Sequence, residues 1–204
     1  MRKWIAVVAV LLAAGAAFLW WRSGADTPRP ATFRAEPTTA HYGPIATRAA
    51  DPAPLTVEEI FPTGSVSAGG TTLASQGTEA LTDCAAAVWG SAEQAVAGCT
   101  QVLRARYATR DGRVLGQFVI FNLADSAAAD RLLAAFGHGG FVRPAPGTPD
   151  GFEGSRGWAQ ARALGHFVTV SWVGPVGDKG GGDLTYPQVA VDSPSLLIQR
   201  RLVR

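Results

Sequence analysis

Seven polar side chains set at alternating positions in apolar runs are the residues whose type and spacing could do chemistry: Arg104, Arg106, Gln117, Gln160, Arg162, Thr169 and Ser171. On one face of a sheet they would form a shallow, ligand-facing surface. Its three guanidiniums could grip carboxylates or phosphates, because the planar fork of arginine matches both bidentately. That is binding chemistry, with no nucleophile or base in it. The plainer reading of the same row is a solvated outer face.

Other constellations fail on spacing. A hydrolase elbow needs Gly two positions before its Ser, and Glu153 stands there ahead of Ser155. "VGPVGDKGGGD" surrounds Lys179 with glycines but lacks phosphate-loop spacing and a hydroxyl after the Lys. His166, beside Gly165 at the head of an alternating run, reads as a structural or exposed ring in preference to a general base. Asp150 and Glu153 sit in a Gly-rich loop, where carboxylates are ordinarily solvated. His41, His138 and His166 are too dispersed to suggest a metal site. No catalytic residue, metal or cofactor is expected.

The two cysteines, Cys84 and Cys99, bear on the compartment. An unbroken helix between them would hold their Cα atoms roughly 22 Å apart, whereas a disulfide needs about 7 Å or less. Gly90 and Ser91 supply a break that lets the chain double back. Outside the cytoplasm two cysteines without a third form a bond, so a disulfide is expected.

Export is indicated independently. Residues 4–21 carry no charge and are almost wholly apolar. As a helix they span roughly 27 Å, close to a bilayer core of about 30 Å. Arg2 and Lys3 precede the run, and Trp4, Trp20 and Trp21 stand at its ends, as in a transmembrane helix with a cytoplasmic N-terminus. The alternative is a secretory signal over 1–22, cleaved at the small residues Ser23 and Ala25. Both readings place the remainder outside. The formal charge is +2, but without Arg2, Lys3 and Arg22 the rest has 15 basic and 16 acidic residues. Nucleic-acid binding therefore lacks its electrostatic basis.

These features predict three segments: an anchor or signal over 1–22, a disordered Pro-rich linker over 23–54, and an extracytoplasmic α+β domain over 55–204. The linker reading rests on six of the 13 prolines and scattered charge. In the domain, 71–76 predicts a strand and 79–89 a helix. A short helix follows, with Ser91 and Gln94 in a capping pattern. Alternating runs joined at Asp111-Gly112 and at Gly165 predict two hairpins. Asp125 is the expected N-cap of a helix ending at Gly137, and Ser193-Pro194 opens a terminal helix. The order β-α-β-β-α-β predicts a ferredoxin-like antiparallel sheet, with helices on one face and the other face free to stay wet.

The strings L-T-V-E-E-I-F-P (55–62), D-C (83–84), G-C (98–99), V-L-R-A-R-Y (102–107), D-G (111–112) and I-F-N-L-A-D (120–125) resemble a group of actinobacterial membrane-anchored proteins of unknown function. The resemblance implies placement in the envelope and carries no catalytic or ligand residues. The chain thus reads as a membrane-anchored extracytoplasmic binding or sensory module, non-catalytic, contacting an envelope component or a membrane protein partner. A cell-envelope hydrolase and an accessory subunit of a membrane complex are the alternatives.

Overall fold

The computed structural model describes residues 28–177 and 182–203. In chain order these form β1 (Thr32–Glu36), a 3-10 turn (Ala40–Ile45), α1 (Val57–Ile60), β2 (Ser65–Ala68), β3 (Thr71–Leu81), a 3-10 turn (Cys84–Ala87), β4 (Val88–Gly90) and α2 (Ser91–Ala95). Then come β5 (Gln101–Thr109), β6 (Val114–Asn122), α3 (Ser126–Gly137), β7 (Gly140–Val142), a 3-10 turn (Gly154–Arg156), β8 (Trp158–Leu164), β9 (Phe167–Pro175), α4 (Thr185–Asp192) and a 3-10 segment (Ser193–Val203).

The two hairpins form as their alternation predicts, with Ala105 opposite Phe118 and Ala161 opposite Val170. Asp125 caps α3 by accepting from the Ala128 amide at 2.7 Å. The arrangement around these elements is not ferredoxin-like. Seven strands lie in one curled mixed sheet in the order β1-β8-β9-β6-β5-β3-β2, with β4 and β7 as a separate ribbon. β1 runs parallel to β8, and the other pairs are antiparallel.

Three local differences produce this change. The expected helix over 79–89 is the end of β3, a 3-10 turn and β4. Alanine is the best helix former, but propensity is a weak determinant, and strand pairing at both ends of this stretch, Thr78–Leu81 with Val102–Ala105 and Val88–Gly90 with Gly140–Val142, overrides it. Ser91 does not cap α2: its hydroxyl donates to the Ala135 and His138 carbonyls, tying that turn to the end of α3. Residues 185–192 form α4, so the helix begins ahead of Ser193-Pro194, and Ser193–Val203, expected as the terminal helix, is a 3-10 segment.

Residues 28–54, expected within the linker, are folded onto the domain instead. β1 extends the sheet, Ile45 is buried, and Thr47 bridges to Asp125. The Gln101 side-chain amide closes both ends of Leu55, accepting from its N–H at 3.0 Å and donating to its carbonyl at 2.8 Å. Pro28 and Pro30 precede β1, Pro37, Pro52 and Pro54 fall between anchor points, and Pro44 sits inside the 3-10 turn next to Ile45, and the anchors form all the same. The expected membrane span over 4–21 lies outside the described residues. Among the described residues no helix is long and apolar enough to cross a membrane.

Both faces of the central strands are covered, while β1 and β3 stay largely exposed. One face carries Val102, Val119, Phe121, Val170 and Trp172 against Leu132 and Phe136 of α3 and Phe141 of β7. The opposite face carries Leu103, Tyr107, Phe118, Ile120 and Phe167 against Ile60, Val191 and Ile198. Covered on both sides, β6 and β9 are buried along almost their whole length. The contact with α4 is close: a methyl at Gly116 would stand 2.4 Å from Val191 Cγ2.

At the Gly165 turn, φ is +68°, and an added Cβ would meet the Ile45 carbonyl at 2.3 Å, so only glycine lets the N-terminal segment dock there. His166 completes that contact. Its backbone N–H and Nδ1 both lie within hydrogen-bond distance of the Ile45 carbonyl, at 2.9 and 2.8 Å. A carbonyl only accepts, so Nδ1 carries the proton and Nε2, buried without a partner, does not.

Burial lowers the His166 pKa below its ordinary 6.5. The Ile45 bond and nearby Asp51 oppose that shift, while Arg201 and Arg48 add to it. Near pH 7.5 folded and unfolded chains both hold a largely neutral ring, and stability there hardly depends on it. As pH falls through about 6.5 the unfolded chain binds a proton that the folded one refuses, so stability declines. Denaturant unfolding at pH 7.5 and 5.0 is expected to show a loss that shrinks in His166→Phe. An identical loss in the variant would assign the acid sensitivity to other groups.

Candidate functional site

The seven-residue row does not form one surface. Arg104 lies in register with Val119, Val170 and Ala161, whereas Arg162 lies in register with Thr169, Ile120 and Leu103, so the two arginines project to opposite sides of the sheet. Arg106 and Gln117 share the side of Arg104; Gln160, Thr169 and Ser171 share the side of Arg162. Strand alternation separates them.

The first group is structural. Arg104, 5% exposed, donates to Glu79 at 2.7 Å across the β3–β5 pair. Arg106 donates to the Gly147 and Gln76 carbonyls at 2.7 and 2.8 Å, beside the β-bulge at Gly77. Gln117 donates to the Arg143 carbonyl and accepts from the Ala145 amide, holding the loop after β7 against the sheet.

The second group sits at a real concavity. Because the sheet curls, its two edge strands approach each other on the side covered by α4. Arg34 of β1 and Ser67 of β2 line one cleft of about 430 Å³. Trp158, Gln160 and Arg162 of β8 form its floor, and Gln188, Val189, Asp192 and Leu196 its wall. A hollow of about 350 Å³ adjoins it past Arg162 and Leu196, toward Tyr42 and Pro37. Val189 and Leu196 are 54% and 61% exposed.

Under this cleft runs one polar network. Gln188 Nε2 donates to Ser171 Oγ at 2.8 Å, and Ser171 Oγ donates to Asp192 Oδ1 at 2.9 Å. Asp192 Oδ2 accepts from Arg162, which also pairs with Glu36; Gln160 Nε2 donates to Glu36 Oε1 at 2.6 Å. Arg162 is thus held between two carboxylates, and its charge is spent inside the protein. Arg34, exposed at the rim, has no ion pair among the described residues. Gln188 Oε1, Trp158 Nε1 and Thr169 Oγ1 are buried without a hydrogen-bond partner among the described residues.

Arg34, Arg162 and Asp192 line the cleft and Glu36 the adjoining hollow, so two arginines and two carboxylates balance only across the two together. The remaining capacity of the cleft is hydrogen bonding beside apolar wall. Tyr107, buried on the same side, has its phenol pushed up to about 12 by burial and stays neutral.

The row therefore pointed to Gln160, Arg162 and Ser171 and missed Arg34, Glu36, Trp158, Gln188 and Asp192. The period-two alternation of T-F-R-A-E (32–36) was the available signal for Arg34 and Glu36. Nothing local marks Asp192 or Gln188, which act only once α4 folds against β9. Away from the cleft, His166 bonds the Ile45 carbonyl, and no acid and serine join it in a hydrolase arrangement among the described residues. The described residues hold no cluster of metal-ligating side chains. No family model matches the chain, and no curated protein or solved structure matches it either.

Proposed function

We propose that the protein is a membrane-anchored extracytoplasmic binding module, acting without catalysis, that takes its ligand in the cleft between β1/β8 and α4. The observation that carries this reading is the cleft itself. It is the place where a sheet seam, an ordered polar network and exposed apolar side chains converge, the usual composition of a binding pocket. Extracytoplasmic placement is supported by the Cys84–Cys99 disulfide together with the apolar run 4–21 in the sequence. Kinship with actinobacterial membrane-anchored proteins belongs to the same proposal.

The accessory-subunit reading draws on Tyr186, Val189 and Leu196, apolar and half or more exposed on α4 and the segment after it. Photo-crosslinking amino acids at Val189 and Leu196, compared with one at Arg110 beyond the end of β5, test both readings in intact cells. Capture of an envelope component from 189 and 196 but not from 110 is the expected result. Equal capture from all three positions, or capture from 110 alone, would remove the cleft as the binding surface. A single stoichiometric membrane protein captured from 189 and 196 would favour the subunit.

A further inference from the structure

We propose that the cleft binds a neutral saccharide, an inference that rests on reading the cleft as the binding site. Charge argues first. An anion would have to compete for Arg162 with Glu36 and Asp192, which already hold it, and would be left with Arg34, exposed to water at the rim, where an ion pair contributes little; a cation would face two guanidiniums. A ligand without net charge meets neither obstacle.

Hydrogen-bonding groups argue second. Glu36, Gln160 and Arg162 stand side by side with acceptor and donor atoms interleaved, and Gln160 Oε1 is not used among the described residues. A hydroxyl both donates and accepts, so a polyol can add to such a network without leaving buried polar atoms unpaired. Gln188, only 2% exposed, lines the same cleft with Oε1 unpartnered.

Shape argues third. Trp158, half-buried on the floor, presents a flat apolar ring, and Val189 and Leu196 supply apolar wall opposite. A pyranose has the same division, with hydroxyls at its edge and C–H groups on its face. The volume of about 430 Å³ lies in the range of small-molecule sites. A peptide strand suits the seam less well. β1 directs Arg34 and Glu36 into it, and β2 is four residues long, both of which are devices that blunt strand pairing.

The test uses the full-length chain in detergent micelles and calorimetric titration with maltose, cellobiose, lactose and N,N′-diacetylchitobiose. Glucuronic acid, glucose 6-phosphate and glucosamine serve as charged counterparts. At least one neutral sugar is expected to bind saturably. Trp158→Ala and Gln160→Ala are each expected to weaken it at least tenfold, with Arg110→Ala unchanged. Gln160→Ala changes a partly exposed side chain and keeps the test valid if Trp158→Ala unfolds.

Silence of every neutral sugar, preference for a charged one, or binding indifferent to both cleft substitutions would overturn the inference. Should crosslinkers at 189 and 196 still capture an envelope component that the neutral sugars fail to displace, the saccharide falls while the binding reading stands. If neither sugars nor crosslinkers find the cleft, both fall.

Discussion

Arg201→Met is expected to destabilise the protein by about 3–5 kcal/mol, the cost of removing one partner from a buried ion-pair cluster. The Arg201 side chain is 1% exposed and every guanidinium N–H is engaged. Nε and one terminal nitrogen reach Glu59 at 2.9 and 2.6 Å; the other terminal nitrogen reaches both Asp51 oxygens at 3.0 Å. The Ala53 and Pro54 carbonyls accept the remaining two bonds. Burial alone would lower the Arg201 pKa, but the Glu59 and Asp51 carboxylates outweigh it and raise the value. The substitution leaves Asp51 and Glu59 without their guanidinium in a site closed to water.

This cluster joins the C-terminal segment to α1 and to the end of the N-terminal segment, so its loss should loosen both termini together. At roughly 2–4 °C per kcal/mol for a domain of this size, the melting temperature should fall by about 6–20 °C. Arg201→Lys should recover only part of the loss, since an ammonium cannot serve both carboxylates with the same fork. A drop equivalent to less than about 1 kcal/mol in Arg201→Met would show that the cluster contributes little beyond its own desolvation cost.

Removing the disulfide is expected to cost about 3 kcal/mol, from a closed loop of this length in the chain-entropy account. Cys84 and Cys99 are bonded with Cα atoms 6.2 Å apart, at a sequence separation of 15. The loop they close contains β4 and α2, whose Val88 and Ala92 are fully buried in the core beneath α3. The double variant Cys84→Ala/Cys99→Ala should therefore unfold at lower denaturant concentration, and reductant should shift the native protein to the same point. If reductant leaves the midpoint unchanged while mass spectrometry shows both thiols freed, the bond has no part in stability.

How much of this was legible beforehand depended on whether the cause was local. Alternation around Asp111-Gly112 and Gly165 was strong enough to set both hairpins, and Asp125 marked the start of α3, because each signal lies within a few residues of its consequence. The break at Gly90-Ser91 let the cysteines meet, although the residues before it proved to be strand and 3-10 turn rather than helix. The alanine-rich 79–89 misled because its two ends are held by strand pairing, Glu79–Leu81 with β5 and Val88–Trp89 with β7, both beyond any local window.

The N-terminal segment misled for a similar reason. Its prolines mark breaks in regular structure, while Phe33, Ile45 and Leu55 make contacts with residues up to about 130 positions distant that no local window contains. The cleft follows from that same long-range closure. Arg162 was singled out for its guanidinium, but its partners Glu36 and Asp192 lie 126 residues before and 30 after it. Strand parity already placed Arg104 and Arg106 opposite Leu103, and only the register between the hairpins could decide on which side Arg162 would fall.

The central claim is that this curled, disulfide-stapled sheet domain faces the outside and uses its cleft there. Protease digestion of intact spheroplasts, followed through a C-terminal tag on the full chain, tests it most directly. The account predicts loss of the tagged domain before lysis while a cytosolic control survives. Protection of the domain until lysis, with the control equally protected, would contradict it.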